Sequence, residues 1–166
     1  MHRKFKLLAS ALCALAASAS LAQLAPLDPD WRESDAPPPP VLRTDGLIEL
    51  EMPGALLRFG VDPQSITVGK DGVVRYVVVA KSATGTINAN YEGIRCAAGE
   101  VRIYARHTPG AGWTQTPDTP WVALSRHSLQ VARTGGCLGN GTNMTAADVV
   151  RDMRAPLYRR YQPEYR

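Results

Sequence analysis

The run Val73-Val74-Arg75-Tyr76-Val77-Val78-Val79-Ala80 constrains this chain more than any other stretch. Branched residues crowd a helix but pack well on a pleated sheet, and a segment apolar on both pleat faces suits a strand covered on both sides. It opens the longer segment Asp71–Arg106, which reads as three strands joined by two tight turns. Ser82-Ala83-Thr84-Gly85 and Ala97-Ala98-Gly99 supply the turns. In the second strand Ile87, Ala89 and Tyr91 share one face, and Asn88, Asn90 and Glu92 the other. That alternation slips before Ile94 and Cys96, so a β-bulge is expected at Gly93 to return the apolar side to the core. In the third strand Val101, Ile103 and Ala105 are expected inward, with Arg102, Tyr104 and Arg106 outward. The segment is an antiparallel meander.

Residues 1–22 read as a signal peptide. His2, Arg3, Lys4 and Lys6 form a positive start, Leu7 to about Ala19 is apolar, and Ser20-Leu21-Ala22 places small residues where a signal peptidase cuts. Ala17-Ser18-Ala19 is an alternative site. The apolar run is too short for a stop-transfer helix, so the mature chain is expected to have no transmembrane span. Export would remove three of the nineteen basic residues and leave sixteen against fifteen acids, a net charge near +1 rather than +4. The basic isoelectric point is therefore mostly targeting chemistry, and nucleic acid is not an expected partner. The remaining charge is uneven: Gln23–Ser65 carries eight acids and three bases, Ile66–Arg166 seven acids and thirteen bases.

Residues 23–45 form a Pro-rich, extended, poorly ordered lead-in. Pro37–Pro40 favours polyproline II and cannot enter a sheet interior. A spacer and a Pro-rich recognition peptide are its two readings, with Trp31 able to anchor it on the domain. Residues 46–156 make one α+β domain. Leu47–Leu50, Leu56–Phe59 and Ile66–Val68 are short strands, and Asp62-Pro63-Gln64-Ser65 is a turn. Gly69-Lys70-Asp71-Gly72 leads a hairpin into the central run. Thr108–Pro120 reads as a loop, Trp121–Leu124 as a strand, and Gly135–Gly141 as a Gly-rich loop. Thr145–Arg154 reads as a helix capped by Thr145 and Asp148, with Val149, Val150 and Met153 facing the sheet. The fold class is thus an antiparallel β-meander sheet with a C-terminal helix packed on it.

At the meander the chain resembles a known family. Asp71-Gly72-Val73-Val74-Arg75-Tyr76, Tyr91-Glu92-Gly93-Ile94-Arg95-Cys96 and Arg102-Ile103-Tyr104-Ala105 are similar to the core signature of the cryptic neisserial protein-like family. Its members are small exported envelope proteins of bacteria. The resemblance covers about Leu57–Arg106 and implies a compartment and a domain. The family has no assigned activity, so no catalytic residue carries over.

Two cysteines outlast export, Cys96 and Cys137, and an even pair in an oxidising compartment favours a disulfide. A zinc site would recruit His107 and His127 as well, but C-x10-H-x19-H-x9-C matches no finger spacing, so neither metal nor cofactor is expected. G-x-S-x-G, H-E-x-x-H and S-x-x-K are absent from the sequence. The Gly-rich loop lacks the Lys-Ser/Thr of a phosphate cradle. Two candidate binding features remain. One is Arg102, Tyr104 and Arg106 on the outer face of the meander near Glu92, where ion pairing of Glu92 with a neighbouring arginine is the structural alternative. The other is the basic, aromatic tail 157–166, with Tyr158, Arg159, Arg160 and Tyr161. Guanidinium forks suit phosphates and carboxylates, and tyrosines suit a half-wet surface. The function read from this is a periplasmic, non-catalytic binding or assembly module, with outer-membrane association and secretion left open. Its expected partner is an anionic envelope component or an envelope protein. The alternative is a small periplasmic enzyme, hydrolase-like, using His107 or His127 as a base.

Overall fold

The computed structural model describes residues 27–156; the expected signal peptide and the tail with Tyr158, Arg159, Arg160 and Tyr161 lie outside them. The centre is an antiparallel meander of three nine-residue strands, β4 (Val73–Lys81), β5 (Ile87–Arg95) and β6 (Glu100–Thr108). Shorter strands extend it on both sides. β2 (Arg58–Val61) and β3 (Thr67–Val68) pair with opposite ends of β4, and β1 (Ile48–Leu50) pairs with β2. On the far side β7 (Gly112–Gln115) and β8 (Val122–Ala123) divide the free edge of β6. Helix α1 (Arg126–Val131), a π-helical turn at Ala132–Gly136, the hairpin β9 (Cys137–Leu138)–β10 (Gly141–Thr142) and helix α2 (Ala146–Arg154) follow.

The sheet is covered on both faces, as the branched run in β4 requires. Val73 to Val79 are all buried, and each of the valines contributes about 1.5–3 kcal/mol of burial. One face holds Val74, Tyr76, Val78, Ile94 and Val101 against Val131, Val149 and Met153 of the helical layer. The other holds Val77, Val79, Ala89, Tyr91 and Ala105, packed by Leu42 and Leu47. Leu47 directly precedes β1, and Leu42 belongs to the Pro-rich segment, which lies along this second face. It is a docked strap, and the poor order expected of it from its prolines is overridden by side-chain anchors. Trp31 and Trp113 supply two of them, their indoles donating to the main-chain oxygens of Asp71 (2.8 Å) and Pro40 (2.9 Å).

The bulge lies elsewhere than expected. β5 pairs residue for residue with β4, Arg75 opposite Gly93 and Val74 opposite Ile94. The register slips between β5 and β6, where Tyr91 opposes Ala105 but Glu92 opposes Ile103, leaving Tyr104 as the extra residue. Glu92, Ile94 and Cys96 therefore share the helix-side face without any bulge in β5. The apparent break in alternation has another cause, that both faces are buried. The slip also divides the expected inward set of β6: Ile103 keeps the face of Glu92, while Ala105 joins Tyr91 on the strap side.

Three further local expectations change. The second short strand lies two residues later than expected, because Leu56 is exposed and Gly60 continues the strand; a Cβ there would stand 2.9 Å from Leu47 Cβ. β7 falls inside the expected loop. Helix α1 falls between the expected strand and the Gly-rich loop, at only six residues too short for a helical period to register. Helix α2 starts as its capping box predicts, with Thr145 Oγ1 accepting from Asp148 N (3.1 Å). A Cys96–Cys137 disulfide ties the end of β5 to the helical layer.

Candidate functional site

The strap-side face carries the densest polar construction in the described residues. Arg75, Gly93 and Arg102 stand directly opposite one another on β4, β5 and β6, so their side-chain directions share this face. Gly93 has no side chain, and the ring of Tyr104 lies over it; a Cβ at Gly93 would sit 2.5 Å from the Tyr104 hydroxyl and 2.8 Å from Val73 Cγ1. The bulge in β6 brings Tyr104 here. The two guanidinium carbons lie 5.5 Å (Arg75) and 5.8 Å (Arg102) from the centre of its ring, within cation–π range.

These groups converge on one carboxylate from the strap, Glu33. Arg102 Nη1 donates to Glu33 Oε2 (2.8 Å), the Tyr104 hydroxyl donates to Oε1, and Trp121 Nε1 donates to Oε2 (3.3 Å). Arg75 Nη2 lies 3.6 Å from Oε1. Burial, followed by the bond to Glu33, pushes the Tyr104 hydroxyl well above its ordinary value, which keeps it a donor. Arg75 is itself buried and held by Asp71 (Nη2 to Oδ2, 2.7 Å). Burial alone would raise the Asp71 carboxyl, but Arg75 and the amides of Ser34 and Val73 hold it below its ordinary value. Neighbouring residues of the strap are read too. Ser34 donates its amide to Asp71 Oδ2 (3.0 Å) and accepts Arg75 Nη2 on its carbonyl (3.2 Å). Trp31 packs edge-on to Trp121 and carries Arg95 over its face at 4.0 Å.

Beside Glu33 an open cleft of about 550 Å³ separates the strap from β6, lined by Glu33, Pro37, Pro39, Arg102, Tyr104 and Gln115. A cleft of about 590 Å³ near Arg58 and Lys81 and one of about 420 Å³ beside α2 are built elsewhere. The Nε of Arg102 is buried without a hydrogen-bond acceptor. Two arginines, a tyrosine and an indole around one carboxylate form an anion receptor, here filled by the chain itself.

A model of the CNP1-like family matches residues 27–154. The chain belongs to the CNP1-like family. The matched range includes the strap with Trp31 and Glu33 as well as the sheet that receives them. No curated protein and no solved structure matches.

Of the residues singled out in the sequence of this CNP1-like chain, Arg102 and Tyr104 are brought together. Arg106 is not: past the bulge it opposes Asn90 and reaches its Oδ1 at 3.5 Å on the helix-side face. Glu92 is not beside Arg102 either. It is buried on the helix side, where Tyr76 Oη donates to Oε2 (2.8 Å), Asn90 Nδ2 donates to Oε1 (2.9 Å), and His127 Nε2 stands 2.9 Å from Oε1. No arginine pairs with it among these contacts; a tyrosine, an amide and an imidazole hold it. Burial, then the Glu92 charge, pushes the Tyr76 hydroxyl far up.

His127 stacks on Phe59 at 5.2 Å, whereas His107 packs edge-on to Trp113 at 5.3 Å on the other face. The two histidines therefore do not form one site, and neither lines any of the three clefts. Cys96 and Cys137, the sulfurs a zinc site would take, are bonded to each other. The Gly-rich loop is a seat for α2: a Cβ at Gly135 would meet Met153 N at 2.9 Å, and Asn143 Nδ2 donates to Gly135 O.

Arg75, Trp121 and Glu33 are site residues that sequence reading missed. Arg75 sits inside an apolar run and looks like an interruption of it. Only the register that sets Arg75, Gly93 and Arg102 side by side, with the strap folded back over them, makes the receptor visible.

Proposed function

We propose that this chain is an exported, non-catalytic binding or assembly module of the bacterial envelope, and that it binds through the strap-side receptor. The observation that carries this reading is the convergence of Arg75, Arg102 and Tyr104 on a single carboxylate at the wall of an open cleft of about 550 Å³. A cleft of that size suits a small ligand or a short peptide segment, and planar guanidinium donors suit carboxylates and phosphates. The partner is accordingly an anionic envelope component or an acidic segment of an envelope protein. The Cys96–Cys137 disulfide supports an oxidising compartment. No helix among the described residues is long and apolar enough to cross a membrane.

The test places a photo-crosslinking amino acid at Gln115, which lines the cleft, and irradiates intact cells of the native host. A discrete adduct that Arg102→Ala removes is the expected outcome, and its anionic portion is then identified by mass. Absence of any Arg102-dependent adduct overturns the reading.

The catalytic alternative rests on one observation, that a buried carboxylate orients His127 through Nε2, with Tyr76 and Asn90 orienting that carboxylate. Such an arrangement tunes a general base. Hydrolysis of an ester or amide panel by the purified protein, abolished by His127→Ala and retained in Arg102→Ala, would put this reading first.

A further inference from the structure

The contacts that hold the strap near its start fall on three residues within a stretch of four, Trp31, Glu33 and Ser34. Trp31 is read by the Asp71 carbonyl, the Arg95 guanidinium and the Trp121 ring. Glu33 is read by Arg102, Tyr104 and Trp121. Ser34 is read through its main chain alone, its N–H by Asp71 and its carbonyl by Arg75. Main-chain reading of one residue beside side-chain reading of two others is how a receptor grips an extended peptide: the backbone bonds contribute affinity and the side-chain contacts selectivity. None of these bonds belongs to a sheet ladder, so the segment can leave without unpairing a strand. The next anchor is Trp113 on Pro40. Between them run Pro37–Pro40, stiff and without amide donors. When the strap lifts, Arg75 keeps Asp71, Arg95 keeps Glu100 at 3.9 Å and Arg102 keeps the Pro117 carbonyl, while Arg102 and the Tyr104 hydroxyl lose the carboxylate of Glu33.

We propose that Trp31–Ser34 is a built-in pseudo-ligand, and that the groove beneath it binds an extended acidic peptide of a partner protein with an aromatic residue two positions before a carboxylate. This rests on the binding reading above and adds both the ligand class and its control. The strap competes in cis at the high effective concentration a short tether supplies. The apparent affinity for the partner is then the intrinsic affinity reduced to the fraction of molecules with the strap open. The uneven charge of the chain matches this arrangement, with an acidic leading segment lying on a basic sheet.

A fluorescent peptide of residues 27–36 (LDPDWRESDA), titrated into the full mature chain, tests the inference. Wild type is expected to bind it weakly. Trp31→Ala/Glu33→Ala, which unlatches the strap and leaves the receptor intact, is expected to bind it at least tenfold more tightly. Adding Arg102→Ala to that variant, or replacing glutamate by glutamine in the peptide, is expected to cancel the gain. Equal affinity for wild type and unlatched variant, or equal binding of a scrambled peptide, overturns the proposal. In case the variant misfolds, a protease site replacing Pro37–Pro40 offers a second route: the cut strap must exchange with labelled peptide, and failure to exchange counts against the idea. Phosphatidylglycerol vesicles separate the two levels. Unlatched protein that binds vesicles through Arg102 but ignores peptide leaves the anion receptor standing and overturns the peptide. Binding neither overturns both.

Discussion

At the residue scale the decisive position is Gly93. Its backbone conformation is not the reason for glycine, since it lies in a regular strand and β5 stays in register with β4. The reason is space. The ring of Tyr104 occupies the volume a Cβ would need, with Val73 closing the other side. Gly93→Ala should therefore cost more than the ~1 kcal/mol of a typical substitution and also displace Tyr104 from Glu33. Urea unfolding should show the first effect, and faster hydrogen exchange at the Ser34 amide the second. A full-strength strap in Gly93→Ala would mean that the ring finds another seat. Tyrosine ionisation is predictable as well. The Tyr76 and Tyr104 hydroxyls are raised in the folded state, so the unfolded chain loses these protons first. Their stabilising contribution is complete below the ordinary value of 10.0 and is lost as pH rises above it. Alkaline unfolding should thus begin above about pH 10, and Tyr76→Phe should flatten its slope. Asp71 acts in the opposite sense. Its depressed carboxyl contributes stability above its ordinary 3.8 that is lost as pH falls through its lower folded value.

At the scale of elements the disulfide is the main brace of the helical layer. α1 and α2 are six and nine residues long, well short of what stands alone in water. They exist because Val131, Val149 and Met153 bury against β4 and β5 and because Cys137 is tied to the end of β5. Cys96→Ser/Cys137→Ser opens a loop of 41 residues and should cost about 3–4 kcal/mol on the chain-entropy account. Equilibrium unfolding with and without reductant measures this. The double variant should be insensitive to reductant, and a wild type equally insensitive would mean the bridge does not form. The strap behaves differently from the helices. Its prolines forbid a ladder, so single side chains hold it, and Trp31→Ala alone should raise protease cleavage within residues 27–40 while leaving the sheet core protected from exchange.

At the scale of the molecule the sheet separates two polar constructions. On the helix side Glu92 is closed in by Tyr76, Asn90 and His127. On the strap side Glu33 is closed in by Arg102, Tyr104 and Trp121, but beside an open cleft. A site that binds partners needs access, and the second has it. The family match spans the strap and both faces together.

The amino-acid sequence by itself determined the meander, the α2 helix and the Cys96–Cys137 pairing. Each of these is written locally, in a branched run between turns, in a capping box, and in an even cysteine count. It also marked Arg102 and Tyr104, because two polar residues on one pleat face stand out by alternation. What tertiary structure decided is who meets whom. The slip at Tyr104 sends Arg106 to the opposite face from Arg102, and no pattern within β6 reveals it, because register is a property of the pair of strands. The covering of the second face rests largely on Leu42, Trp31 and Glu33, residues far from the meander in sequence and embedded in a segment whose prolines signal only extension. Local propensity says how such a segment is shaped, and only side-chain complementarity with Arg75, Arg95, Arg102 and Trp121 decides where it lies.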